Sequence, residues 1–253
     1  GRTALGGLHA SQGRLVRAHE ELQRALHLAR EVGDRGQQAN VLATLGTLQV
    51  ELGAIEEGRR TLATSLDLFR ASKDPKGEVL ARNSLGLVEL GQGRSDRARE
   101  HLDEALRLAR EIGNWRIEGI VLGNLGVTRL AEGALDDAEA HFGASLERHR
   151  AAKNVRSEGF VLGHRADLLV ARGATPEARE AYVASESALR ESGELVLLAR
   201  VLAQHACLDA REGRAEEARS RIAEASRIAS EAAEDGPLAR TIARARATLP
   251  PTE

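Results

Sequence analysis

Six glycines, Gly13, Gly53, Gly93, Gly133, Gly173 and Gly213, stand 40 residues apart without slippage. Five positions after each comes a small residue: Ala18, Gly58, Ala98, Ala138, Ala178 and Ala218. Four further on comes a large apolar one: Leu22, Leu62, Leu102, Phe142, Tyr182 and Ile222. Seven residues ahead of the first four glycines stand the second members of Leu5-Gly6, Leu45-Gly46, Leu85-Gly86 and Leu125-Gly126, and the later copies read Arg165-Ala166 and His205-Ala206. An internal period of this length means one supersecondary unit stacked on copies of itself. Such a unit cannot bury its apolar face alone, so neighbours must supply the core.

Within each period the apolar spacing is helical. Leu15, Ala18, Leu22, Ala25, Leu26 and Ala29 step by three and four, and so do Val41, Leu42, Leu45, Leu48 and Leu52. No sustained alternation of the kind strands need is present. Pro75, Pro176 and Pro237 fall at segment starts, where a helix tolerates proline. Each period therefore holds two helices. The first ends at the in-phase glycine, a natural left-handed stop. The second opens with an acid (Glu56, Asp96, Asp136, Glu177, Glu216) that suits the positive end of the helix dipole. The predicted spans are 2–12, 15–32, 35–52, 55–72, 75–92, 95–112, 115–132, 135–152, 155–172, 175–192, 195–212, 215–233 and 237–248. Gly46, Gly86 and Gly126 on first helices, facing Gly58, Ala98 and Ala138 on second helices, are expected where two backbones cross closely.

The order Leu-Gly, glycine seven residues on, alanine five later and a large apolar residue four later resembles the tetratricopeptide repeat, in its long 40-residue form. "GNLG" at Gly123–Gly126, "LAREVGD" at Leu28–Asp34 and "LAREIGN" at Leu108–Asn114 carry the same likeness. Gln49, Glu89 and Arg129 stand where the large aromatic after the Leu-Gly pair is usual, and the closing proline of shorter repeats is missing. The resemblance implies an all-α fold: an α-solenoid of about six helix-turn-helix repeats in a right-handed superhelix, with a capping helix at the C-terminal end. The array is expected over residues 1–233, its first repeat truncated, and the cap and tail over 234–253. The start inside a first helix, and the lack of any methionine, suggest a piece cut from a larger protein.

Composition narrows the function. A net charge of −2 shows no basic excess for nucleic acid and no polybasic membrane signal. No apolar run approaches the roughly 18 residues of a membrane span. One cysteine, Cys207, excludes an internal disulfide framework and fits a reducing, cytoplasmic setting. Three lysines against 33 arginines is the bias a GC-rich coding sequence gives.

Reactive constellations are missing. His19-Glu20-Glu21-Leu22 begins like a zinc-protease helix, but Gln23 stands where the second histidine belongs. His101 and His141 share a phase in different repeats. Gly91-Gln92-Gly93 reads as a helix-ending turn. His205, Cys207 and Asp209 alternate by two, which scatters them around a helix. No catalytic residue, metal site or cofactor is expected.

In tetratricopeptide arrays the first helices line the concave face. Carried over by phase, the resemblance implies a partner-binding set of Leu80, Asn83, Leu87, Ile120, Asn124, Val127, Phe160, His164 and Asp167. Leu87 and Val127 occupy places where carboxylate-clamping adaptors carry asparagine, so an apolar peptide or helix suits this groove better than an acidic tail. The competing reading is that Leu80, Ile120 and Phe160 only pack between repeats. The expected function is a non-catalytic sensor or interaction domain of a larger bacterial regulator in signal transduction. Its partner would be a protein, a peptide or a neighbouring domain of the same polypeptide, and neither nucleic acid nor membrane. A free-standing adaptor or peptide-pheromone receptor is the alternative. An enzyme would need an active site that the sequence does not display.

The repeat breaks its own rule at three places. Arg165 and His205 fall in the phase of Leu45, Leu85 and Leu125, and Glu186 falls in that of Leu26, Leu66, Leu106 and Leu146. Buried charges survive when paired, so a structural ionic cluster of Arg165, Glu186 and His205 is expected, with a pH-sensitive joint at His205 as the lesser role. Alternatively the core stripe shifts to Ala166, Leu168 and Leu169 and leaves all three in solvent.

Overall fold

The computed structural model describes residues 15–231 and 237–249. Among them are twelve α-helices and no strand: α1 Leu15–Glu31, α2 Arg35–Glu51, α3 Ile55–Ala71, α4 Pro75–Gly91, α5 Ser95–Glu111, α6 Trp115–Ala131, α7 Leu135–Ala151, α8 Val155–Ala171, α9 Thr175–Ser192, α10 Leu195–Arg211, α11 Ala215–Glu231 and α12 Pro237–Ala247. The expected helix over 2–12 lies outside the described residues. The fold is all-α, built of helix-turn-helix pairs of the α-solenoid type, with α2, α4, α6, α8 and α10 as first helices and α3, α5, α7, α9 and α11 as second ones.

Short turns enforce the period. After α2 the chain turns through Gly53 at φ +84°. The Gly53 N–H donates to Val50 O at 3.0 Å, and the Ala54 N–H reaches back to Gln49 O at 2.8 Å. This closes the orphan carbonyls of the helix end, and a glycine meets its left-handed φ without a Cβ clash. Four first helices, α2, α4, α6 and α8, carry a side-chain N-cap: Asp34, Asp74, Asn114 and Asn154 accept from the backbone N–H three residues on. The second helices α3, α5, α7 and α9 lack one and rely on acids in the first turn instead.

The chain forms two compact units, residues 1–132 and 133–253. In the first, Ala18, Leu22, Leu26, Val41, Leu42, Leu45 and Leu48 build one apolar cluster. Leu62, Leu66, Phe69, Ala81, Leu85 and Val88 build the next. The small residues sit where the backbones nearly touch. A Cβ on Gly46 would lie 2.8 Å from Leu62 Cγ, one on Gly58 only 2.6 Å from Gly46 O, and one on Gly86 2.7 Å from Leu102 Cγ. Ser65 Oγ donates to Ala39 O at 2.7 Å, tying the middle of α3 to the start of α2.

The second unit repeats the device. Ser185 Oγ of α9 donates to Gly159 O of α8 at 2.6 Å. Ala166, Tyr182, Leu189, Leu198, Leu202, Ala206, Ile222 and Ile228 form its core. α12 lays Leu238, Ile242 and Ala245 on α10 and α11, in the phase of a further first helix. No helix among the described residues is long and apolar enough to cross a membrane.

Candidate binding faces of the first helices

Successive first helices pack side by side within a unit, so positions 40 residues apart line one face. In the first unit that face carries Leu80, Asn83 and Leu87 from α4 and Ile120, Asn124 and Val127 from α6. Leu80 and Leu87 are each 40% exposed, and Ile120 and Val127 are half-buried. Asn83 and Asn124 are nearly closed to solvent, at 9% and 4%. Asn124 Nδ2 donates to Asn83 Oδ1 at 2.7 Å, which joins the two helices through a buried amide pair. Two leucines one helical turn pair apart thus remain open beside a fixed polar seam.

In the second unit the face carries Phe160, His164 and Asp167 from α8. Asp167 is a hub: its Oδ1 accepts from Tyr182 Oη at 2.6 Å and its Oδ2 from Gln204 Nε2 at 2.8 Å. His164 Nδ1 lies 3.5 Å from Asp167 Oδ2, and its ring meets Phe160 edge-on at 4.7 Å. Burial, and then the charge of Arg200, hold the His164 imidazole below its ordinary pKa against the opposing pull of Asp167. Burial and the Asp167 charge push the Tyr182 phenol up. Arg200 lies over the Phe160 ring, 5.5 Å from its centroid. Burial draws its pKa down, partly offset by Asp167.

Arg200, Gln204 and Tyr182 were not singled out from the sequence. The signal existed for two of them: Arg200 and Gln204 stand 40 residues after Phe160 and His164. Tyr182 was read only as the large core residue of its phase. It is that, but its hydroxyl also reaches the face.

The positions where an aromatic is usual hold polar latches. Gln49 is buried and donates to Glu57 Oε1 at 2.6 Å. Buried Glu89 pairs with Arg94 Nε at 2.5 Å, and Arg129 pairs with Glu132 at 3.1 Å. Asp209, in the same phase, is buried and accepts from Arg214 Nη2 at 2.6 Å. Each ties the end of a first helix to the turn or second helix after it.

The expected cluster of Arg165, Glu186 and His205 divides. His205 and Glu186 meet, Nδ1 to Oε1 at 2.7 Å, in the interior. Arg165 does not join them: its guanidinium pairs with Glu139 of α7, Nη2 to Oε1 at 2.7 Å. α8 buries Gly159, Val161, Leu162, Ala166 and Leu168, the same phases as Ala39, Val41, Leu42, Gly46 and Leu48 of α2, and of the apolar phases only that of Leu45 leaves the core, where Arg165 is half-exposed. Cations from elsewhere complete the cluster. Arg221 reaches Glu186 at 3.5 Å and Arg190 reaches it at 3.5 Å. His205 and Asp209, one turn apart, also converge: Nε2 lies 3.9 Å from Oδ1. Alternation by two had hidden that i, i+4 pair.

Among the described residues no group of three or more His, Cys, Asp or Glu gathers as metal ligands would. Residues 77–151 match the sequence profile of the tetratricopeptide repeat. No curated protein sequence matches the chain. Several solved structures share its fold. The Rap conjugation gene regulator of the plasmid pLS20, in complex with the Phr* peptide, aligns with a TM-score of 0.76 at 16% identity over 98% of this chain and 72% of its own. NprR in complex with its cognate peptide NprX aligns at 0.73 and 13%, over 96% of this chain and 68% of its own. Aspartyl phosphate phosphatase F from Bacillus subtilis aligns at 0.68 and 10%, over 100% and 72%. Residues 77–151 thus carry the tetratricopeptide-repeat sequence pattern, and the described helices share the paired-helix fold of these structures.

Proposed function

We propose that the chain is a non-catalytic scaffold that captures a peptide or an exposed segment of a partner protein on the faces of its first helices. The observation that carries this reading is the first-unit face itself. Leu80 and Leu87 stay 40% exposed although both repeat neighbours are present, so packing between repeats leaves apolar area free. The buried Asn83–Asn124 pair fixes the two helices beneath. An apolar strip over a rigid polar seam suits a peptide that places side chains at helical or extended spacing. In the second unit, Phe160 under Arg200 offers an aromatic and cationic counterpart.

The regulatory setting follows from the same reading. Two peptide-bound neighbours match this chain over roughly 70% of their own length. An array of this kind would act as the ligand-responsive part of a larger bacterial regulator, biasing a neighbouring domain when its face is filled. A free-standing peptide receptor uses the same face and the same chemistry, and differs only in what lies beside the array. Aspartyl phosphate phosphatase F shares the fold at 10% identity, a likeness of architecture alone.

The test uses the protein as it stands. Peptides selected from a randomised displayed library are measured by calorimetry against the wild type and two paired variants, Leu87→Asp with Val127→Asp, and Phe160→Ala with Arg200→Gln. The reading expects at least one pair to weaken binding about tenfold or more, roughly 1.4 kcal/mol, with helical circular dichroism unchanged. Selected peptides that keep full affinity for both would overturn it.

A further inference from the structure

A separate cavity of about 320 Å³ opens in the second unit between α8, α10 and α12. Val170 and Leu208 supply apolar wall, and Arg211 of α10 and Arg244 of α12 stand at its rim. Among the described residues neither arginine is paired with a carboxylate. Nearby Arg214, Arg219 and Arg221 all are, to Asp209, Glu216 and Asp209 respectively. The two unpaired arginines line the same cavity from different helices. Burial pushes the Cys207 thiol in the cavity wall up, and the charges of Arg244 and Arg211 both pull it back. Arg211 acts in the same sense on the Tyr182 phenol.

We propose that this cavity binds a small organic anion, a carboxylate or phosphate ester, with its charged end between Arg211 and Arg244 and its apolar body against Val170 and Leu208. The volume falls at the lower end of small-molecule sites, which are mostly apolar with a few placed polar groups. Guanidinium groups bind oxyanions through paired N–H donors, and two of them on different helices can grip one head group. The one acid in the lining, Asp167, is engaged by Tyr182 and Gln204, whose donors occupy both its oxygens. It pairs with neither arginine, so the lining sets two positive charges against one negative. Because one arginine comes from α12 and the other from α10, the ligand would also bridge the last helix to the array. This site does not rest on the peptide reading and stands if that reading fails.

The test titrates phenyl phosphate, benzoate, inorganic phosphate and neutral benzamide into the whole chain by calorimetry, with thermal shift in parallel. Arg211→Gln, Arg244→Gln and the control Arg219→Gln are titrated alongside, and circular dichroism checks their fold. Expected is saturable binding of phenyl phosphate, weaker binding of inorganic phosphate and none of benzamide. Each rim variant should lose about tenfold in affinity, while Arg219→Gln loses nothing. No saturable binding of any anion, or equal binding by the rim variants and the wild type, would overturn the site.

Discussion

The Nδ1 atom of His205 lies 2.7 Å from Oε1 of Glu186, with the imidazole wholly closed to solvent and the carboxylate side chain 8% exposed. The same two phases hold Leu45, Leu85 and Leu125, and Leu26, Leu66, Leu106 and Leu146, in earlier repeats, so an ionisable contact has replaced an apolar one in the core. It is held from several sides. The Tyr182 ring stacks on His205 at 5.1 Å. Arg221 of α11 and Arg190 of α9 face Glu186, and Asp209, itself held by Arg214 and Arg221, faces the far side of the imidazole. Burial pushes the Glu186 carboxyl up, but the hydrogen bond and charge of His205 and the charges of Arg221 and Arg190 outweigh it, so its pKa falls below the ordinary value of 4.5. A carboxyl depressed in the folded state contributes stability above its unfolded pKa and loses it as pH falls through the folded one. Glu186→Gln is therefore expected to destabilise by about 1–3 kcal/mol at neutral pH. In urea melts the gap to wild type should hold down to about pH 5 and shrink below 4.5. A gap that widens toward low pH would contradict the assigned direction.

Arg165 supplies the complementary experiment. Its partner is Glu139, so its removal strands no charge near Glu186. The double variant Arg165→Leu with Glu186→Leu should lose the sum of the two single losses to within about 0.5 kcal/mol. Recovery in the double variant, read from urea midpoints, would restore the three-membered cluster that the phase pattern suggested.

Arg165 also shows how far the sequence speaks. Periodicity states which residues face a neighbour when the helix keeps its phase. In α8 the apolar buried phases of α2 are kept except the one of Leu45, where Arg165 turns to Glu139 instead of inward. The helix spans, by contrast, followed closely from the spacing, because a left-handed residue every 20 positions leaves little freedom between stops. Asn83, Asn124 and Asp167 were placed on the right helices, but their partners were not legible. The Asn83–Asn124 bond crosses between repeats at unlike phases, and Tyr182 reaches Asp167 from a second helix that the first-helix stripe does not include.

The close crossing of α2 and α3 yields a sharp contrast between two glycines. A Cβ on Gly58 would meet Gly46 O and Val50 Cγ2, both at 2.6 Å, and a backbone oxygen cannot swing away. Gly58→Ala should cost about 1–3 kcal/mol by overpacking. Gly143, within α7, has nothing within 4 Å of its Cβ position. Gly143→Ala should gain about 0.5–1 kcal/mol from helix propensity. Chemical denaturation of both variants decides it, and equal midpoints would mean that Gly58 is not at a packed crossing.

Two of the three lysines stand where glycine would be easier. The turn from each second helix to the next first helix needs one left-handed residue. Gly33, Gly113 and Gly193 supply it at φ +72°, +64° and +73°. Lys73 and Lys153 take the same place at φ +53° and +52°. A side chain in that region costs roughly 1–2 kcal/mol, and glycine gives back roughly 0.5–1 kcal/mol of it through the larger entropy of its unfolded chain. Lys73→Gly and Lys153→Gly should each raise stability by about 0.5–1 kcal/mol, the difference of those two terms. The turns carry no other obligation on the side chain: the neighbouring caps, Asp74 and Asn154, act through their own carboxylate and amide. The two sites lie in different units, so their gains should add. The reverse change, Gly113→Lys, should cost a similar amount. Thermal and urea unfolding of the three variants and the double glycine variant checks the set, and lysine-to-glycine changes that destabilise would show that something other than backbone φ governs these turns.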